Sequence, residues 1–285
     1  MAISMTSSEH ECECTCAADA RDVAKMPGHW VLARLGKRVL RPGGIGLTRQ
    51  MLAALRITPS DHVVEFAPGL GMTAQMALAC GPASYTAVER DPAAAAQVRR
   101  CFDEARDVRP RRVIAGLAQE TGLPDASATV VFGEAMLTMQ TETRKRQIIR
   151  EAFRLLRPGG RYGIHELCMT PDDLPALEAV EVRRSITDAI KHQAIPLTAS
   201  QWEVLLRDEG FEVEHRAGAP MALLSPGRLV RDEGLRGALR FGWRVLRDKK
   251  ARRRVIGMRR AFRRNRDHIA AICLIARKPL EGVAA

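Results

Sequence analysis

The chain has 285 residues, 46% of them hydrophobic, which is enough for one large domain with a sizeable core and excludes global disorder. Its longest clearly apolar run, Ile269 to Ala276, is far too short to cross a bilayer, and the opening MAISMTSSEHECECTC lacks the basic-then-apolar order of a secretory leader. A cytoplasmic location is therefore expected, with peripheral contact to a membrane left open by the charge distribution: residues 1–220 carry 27 Lys and Arg against 28 Asp and Glu, whereas residues 221–278 carry 18 against four.

Residues 1–20 read as a polar, flexible tail, and residues 21–285 as a single domain with a core over 45–215 and a last strand over 268–278. From Asp22 to about Leu40 the helical periodicity is irregular, and Arg41-Pro42-Gly43-Gly44 stops it. A short helix over Leu47–Leu55 leads into an alternation of strands and helices. Apolar, β-branched segments occur at Val63–Phe66, Ser84–Val88, Arg112–Ala115, Ala128–Phe132 and Arg161–Leu167. Helical stretches at Thr73–Ala79, Ala93–Arg106 and Thr143–Leu156 separate most of them, the last ending in the Pro-Gly stop Arg157–Gly160. Short apolar strands alternating with helices argue for a mostly parallel, doubly wound α/β sheet covered on both faces. A helical lid over 171–198, a helix over Ala199–Glu209 and a strand at Phe211–His215 follow. A basic helical insertion over 221–266 then precedes the last strand, which suggests an antiparallel pair at the end of the sheet.

The phrase Gly69-Leu70-Gly71-Met72-Thr73-Ala74 directly follows the first strand. Glycines there let a cofactor approach the backbone, but the spacing fits a dinucleotide as well as S-adenosylmethionine. Glu65, four residues before Gly69, separates the two. A carboxylate would repel a pyrophosphate, whereas it favours the ammonium and sulfonium of S-adenosylmethionine, which counts against a nicotinamide oxidoreductase. Glu89, 18 residues after Gly71, can accept hydrogen bonds from the ribose hydroxyls of either cofactor.

These motifs, followed in order by GLAQETGLPDASATVVF and AFRLLRPGGRYGIHE, resemble the class I S-adenosylmethionine-dependent methyltransferases. The likeness is to the branch containing ubiquinone and menaquinone biosynthesis enzymes. It covers roughly residues 45–215 and the final strand, and implies a seven-stranded sheet of order 3-2-1-4-5-7-6 with S-adenosylmethionine as cofactor. By position, Glu65, Ala67, Pro68, Gly69 and Gly71 would line its methionine and ribose side. Glu89 would hold the ribose, with Arg90, Leu117 and Ala118 around the adenine, and Gly133 and Glu134 would lie next to the methyl donor. The sequence departs from the family pattern at Ala67-Pro68, which replaces a glycine, and at Leu117 and Thr129, which replace acidic residues.

The acceptor is expected to be a small molecule, with lipid-like or amphiphilic compounds among the candidates. His165 and Glu166, read as ending the fifth strand, are the candidate catalytic residues; alternatively one caps the next element and the other packs under the loop. His192 lies in the lid, and Tyr162 reads as core. Cys12, Cys14 and Cys16, with His10 nearby, could converge on a soft metal or metalloid, as in arsenite methyltransferases, or form a ligand-free polar tail. Seven cysteines, an odd number, suggest no disulfide framework. Between Leu239 and Arg266, apolar residues recur at helical spacing among arginines. This pattern reads as an insertion packed on the domain with a solvated arginine face, as a surface for an anionic membrane or amphiphile, or as an RNA surface for an RNA methyltransferase, the last with few aromatics for base stacking.

Overall fold

A computed structural model describes residues 23–104 and 109–280; the Cys12, Cys14 and Cys16 run therefore lies outside the described residues. The strands are β1 (His62–Phe66), β2 (Ser84–Glu89), β3 (Arg111–Ala115), β4 (Ala128–Glu134), β5 (Leu156–Met169), β6 (Leu197–Thr198), β7 (Glu212–Pro220) and β8 (Ile269–Arg277). The helices are α1 (Gly28–Arg34), α2 (Gly44–Leu55), α3 (Met72–Leu78), α4 (Pro92–Glu104), α5 (Glu142–Leu155), α6 (Ala176–Ile190), α7 (Ala199–Asp208), α8 (Pro226–Arg247) and α9 (Lys249–Arg264).

The sheet runs β3-β2-β1-β4-β5-β8-β7. This is the expected order, with the two-residue β6 added beside β5. Strands β1 to β5 are parallel, while β8 is antiparallel to both β5 and β7. β1 and β2 are buried on both faces because helices cover both. On one face α5 and α7 bring Ile148, Ile149, Leu155, Trp202 and Leu206 against Phe66, Val131 and Tyr162, whose ring stacks on Phe211. On the other, Leu47, Met51, Leu55, Ala77 and Val98 pack against Val63, Tyr85 and Phe132.

A third cluster is built mainly from helices. α1, α6, α8 and α9 bury Leu32, Val182, Ile186, Phe241, Val255, Met258 and Phe262 over Leu167 and Ile269, forming a cap beside the carboxyl end of β5. The cap is tied down through buried charge. Lys37, fully buried, lies 3.4 Å from Asp232 and 3.6 Å from Glu233. The backbone N–H groups of Arg38 and Val39 donate to Glu233 and that of Ile45 to Asp232.

Two local expectations are corrected. The irregular N-terminal helix shrinks to α1, because Gly36 in the left-handed region turns the chain so that Lys37 can enter the clamp. Arg157–Gly160 does not merely stop α5. β5 already starts at Leu156 and bulges there, Ala128 pairing with Leu156 and Val130 with Arg161.

Candidate cofactor and acceptor site

A pocket of about 440 Å³ opens at the carboxyl ends of β1, β2 and β4, the size range of small-molecule sites. Strand pleating decides which residues reach it. Glu65, Glu89 and Glu134 each stand at or next to the last residue of their strand, where the sheet gives way to loops. Ala67, Pro68, Gly69, Arg90, Leu117 and Ala118 also lie on its wall. Gly71 and Gly133 do not. Gly71 sits at φ +77° at the start of α3, and a side chain there would press on Cys101; a side chain at Gly133 would meet Phe66 and Met136. These two glycines serve packing and turn geometry behind the wall.

Gly69 has φ +58°, and a β-carbon built on it meets nothing, because it would project into open space at the pocket. Ala67 also has positive φ, at +50°, and its N–H donates to the Val88 carbonyl at 2.9 Å. The turn is thus compact at the cost of a strained alanine. Glu89 is locked: it accepts from Gly69 N–H at 3.1 Å and Asp91 N–H at 3.0 Å. Asp91 in turn caps α4 through the N–H groups of Ala93 and Ala94.

The electrostatics are uneven. Glu65 is 2% exposed and accepts from the Tyr85 hydroxyl. Burial, with the nearby Glu134 carboxylate adding to it, outweighs that hydrogen bond and pushes its pKa up to about 8. Glu134 goes the other way. Burial alone would raise it, but Arg41, then His165 and Thr48, hold it down to about 2. Arg41 also meets Thr73 through Nη1, while its Nε and Nη2 are buried without a hydrogen-bond partner. Two buried guanidinium nitrogens without partners on a pocket wall are ready donors to a ligand anion.

His165 and Glu166 do not reach the pocket. β5 continues to Met169 and β8 pairs beside it through both positions, so they lie inside the sheet, and both are fully buried. His165 directs Nδ1 to Glu134 at 2.7 Å and Nε2 to the Pro42 carbonyl at 2.6 Å. Glu166 accepts from the N–H groups of Met136, Leu137 and Thr138 and from the Thr138 hydroxyl. It therefore caps the turn Leu137–Met139, and both residues position the wall instead of touching a ligand.

His192 does reach the wall, just after α6, with its ring centroid 6.2 Å from that of His29. His29 was not anticipated, and neither was Arg41. His29 lies where this pocket meets a second, narrow cavity of about 60 Å³. Burial first, then His192 and Arg90, lowers its pKa to about 4, leaving the imidazole uncharged near neutral pH. The second cavity is walled by Leu32, Leu167, Ile186, Ile190, Met258 and Phe262, and shares Leu40, Ala135 and Met139 with the first. Among the described residues no group of three or more His, Cys, Asp or Glu is placed to hold a metal ion, and Cys80, Cys101, Cys168 and Cys273 form no disulfide.

Comparison with known proteins agrees with this geometry. The methyltransferase-domain family matches residues 64–164, from β1 through the middle of β5. An uncharacterized protein of Haemophilus influenzae is 31% identical over 215 residues, 75% of this chain and 83% of that protein. Ribosomal RNA small subunit methyltransferase A of Corynebacterium glutamicum is 50% identical over only 54 residues, 19% of this chain and 18% of that one. The cyclopropane synthase MmaA2 of Mycobacterium tuberculosis shares the fold, with TM-score 0.68 and 16% identity over 92% of this chain and 95% of its own. Strand order, the acidic residues closing β1 and β2 and these likenesses together make the chain a member of the class I S-adenosylmethionine-dependent methyltransferases.

Proposed function

We propose that this protein transfers a methyl group from S-adenosylmethionine to a small apolar or amphiphilic molecule, part of which enters the cavity under the helical cap. The observation carrying this reading is that cavity. Its walls are almost entirely hydrocarbon, and it opens into the cofactor pocket beside His29, Ala135 and Met139. A nucleotide would leave its polar edges unpaired against such walls, which favours an apolar acceptor over RNA. At about 60 Å³ the cavity accepts only a short apolar group; an apolar hole known to take up a benzene ring measures about 150 Å³. A longer chain would require α6 to shift.

The pocket residues fit the cofactor's charges. Glu65, raised by burial, gains from an ammonium, and the unpartnered Nε and Nη2 of Arg41 gain from a carboxylate. Glu89, already fixed by two backbone N–H groups, keeps free lone pairs for ribose hydroxyls. When bound, the sulfonium supplies an activated methyl group, and the protein has to align the acceptor and exclude water. His29, uncharged near pH 7 where the two cavities meet, offers a hydrogen bond that orients the polar end of the acceptor; with its pKa lowered to about 4 it is too weak a base to draw off a proton.

The test is an acceptor screen with a labelled methyl donor, run beside calorimetry with S-adenosylhomocysteine. Ile186→Trp fills the apolar cavity and leaves the cofactor wall untouched. It should abolish turnover of an apolar acceptor at unchanged S-adenosylhomocysteine affinity. Full turnover in that variant, or turnover on RNA alone, would overturn the apolar-acceptor reading.

A further inference from the structure

α8 is kinked at Gly234, whose backbone leaves helical geometry, and beyond the kink residues 235–247 run as a separate helical segment. Phe241 is buried in the cap, but Leu235, Leu239, Trp243 and Leu246 are 53–67% exposed. At about 100° per residue these four fall within an arc of about 80°, opposite the face that holds Phe241. Arg236, Arg240, Arg244 and Arg247 occupy the adjoining arc, with the Arg247 guanidinium 4.1 Å from the centre of the Trp243 ring.

The charge around this stripe has one sign. Residues 226–266 contain 16 Lys and Arg and three acidic residues. Asp232 and Glu233 are consumed in the buried clamp with Lys37, and Asp248 caps α9 through the Ala251 N–H. The outer face of α8 and α9 is thus cationic beside a continuous apolar ridge.

We propose that the 235–247 segment of α8 docks this enzyme on an anionic lipid bilayer, with Leu235, Leu239, Trp243 and Leu246 in the interface and the flanking arginines on lipid phosphates. The combination selects the partner. Arginines alone would suit any polyanion, but a row of exposed leucines beside tryptophan gains nothing from a nucleic-acid backbone and matches the depth of a headgroup–acyl boundary. Arginine pairs two N–H groups with one phosphate, and tryptophan prefers the interfacial zone. The segment is about 20 Å long, so it lies in the plane of the membrane. Among the described residues no helix is long and apolar enough to cross one. This inference does not rest on the acceptor's identity, since its readout is binding alone.

The experiment is co-sedimentation of the full chain with phosphatidylcholine vesicles, with and without roughly a third of phosphatidylglycerol, followed by tryptophan fluorescence. Binding should be at least about tenfold tighter to the anionic vesicles, with a blue shift that is lost in Trp243→Phe, since Trp202 is fully buried and Trp30 is half-buried in the pocket wall. Leu239→Glu/Trp243→Glu should weaken it by about tenfold or more, while S-adenosylhomocysteine affinity and far-UV circular dichroism stay as in wild type. Arg236→Gln should reduce the anionic preference by about fivefold. Equal sedimentation of wild type and the double variant would overturn the proposal. So would tight RNA binding insensitive to Leu239→Glu without vesicle binding, or self-association lost in the double variant without vesicle binding.

Discussion

Replacing Glu65 with Gln removes the one carboxylate that burial holds protonated near neutral pH on the cofactor wall. With a pKa of about 8 in the free protein, about nine molecules in ten carry that proton at pH 7. A ligand ammonium beside it favours the ionised form, so binding S-adenosylhomocysteine at pH 7 should release about 0.9 proton from this group. Affinity should rise about tenfold between pH 6 and pH 7, because one pH unit corresponds to about 1.4 kcal/mol and the ligand's own amine stays charged in that range. Calorimetry in two buffers of different ionisation enthalpy reads the released proton directly. In Glu65→Gln the release should fall by that amount and the affinity become flat over the same interval. A wild type that binds without releasing a proton, or equal release in both proteins, would refute the role assigned to Glu65. The linkage has a stability counterpart. The folded protein keeps a proton that the unfolded chain loses above about pH 4.5, so this group stabilises the fold least at high pH. Its contribution should decline as pH rises toward 8 and disappear from the pH dependence of urea unfolding in the Gln variant.

His29→Ala should lower turnover at pH 7 by about tenfold with cofactor affinity retained, the size of one lost orienting hydrogen bond of about 1.4 kcal/mol; unchanged turnover would remove His29 from acceptor positioning. Glu233→Ala strips a partner from fully buried Lys37 and from two backbone N–H groups, and should cost about 3–5 kcal/mol in urea unfolding. Ala67→Gly relieves the positive-φ strain but loosens the unfolded chain, so stability should change by less than about 1 kcal/mol. A loss much beyond that would mean that the alanine methyl has a packing role.

Much of the cofactor site could be read from the order of residues because it is local. A strand, an acidic residue at its end and a glycine turn are neighbours in sequence, so Glu65, Gly69 and Glu89 could be placed before any tertiary contact was known. The reading failed where a residue's surroundings come from elsewhere. The expected order already put the last strand beside the fifth, but nothing near Tyr-Gly-Ile-His-Glu reveals that β5 runs on to Met169, so that β8 pairs through His165 and Glu166 and keeps them inside the sheet. Arg41 and His29 were invisible for the converse reason. Their segment looked like an irregular helix with a stop, and only its packing over β4 and under α6 and α9 brings them to the pocket wall.

The sequence by itself determined the alternating α/β order, the carboxylates at the ends of the first strands and the concentration of positive charge after residue 220. Those follow from strand period, turn chemistry and composition, which act over a few residues. The tertiary structure alone decided which basic and imidazole groups meet at the pocket, where the apolar cavity lies, and which leucines of α8 remain outside. Those depend on which helix faces become buried against one another, and a periodic pattern names an apolar face without saying what will cover it.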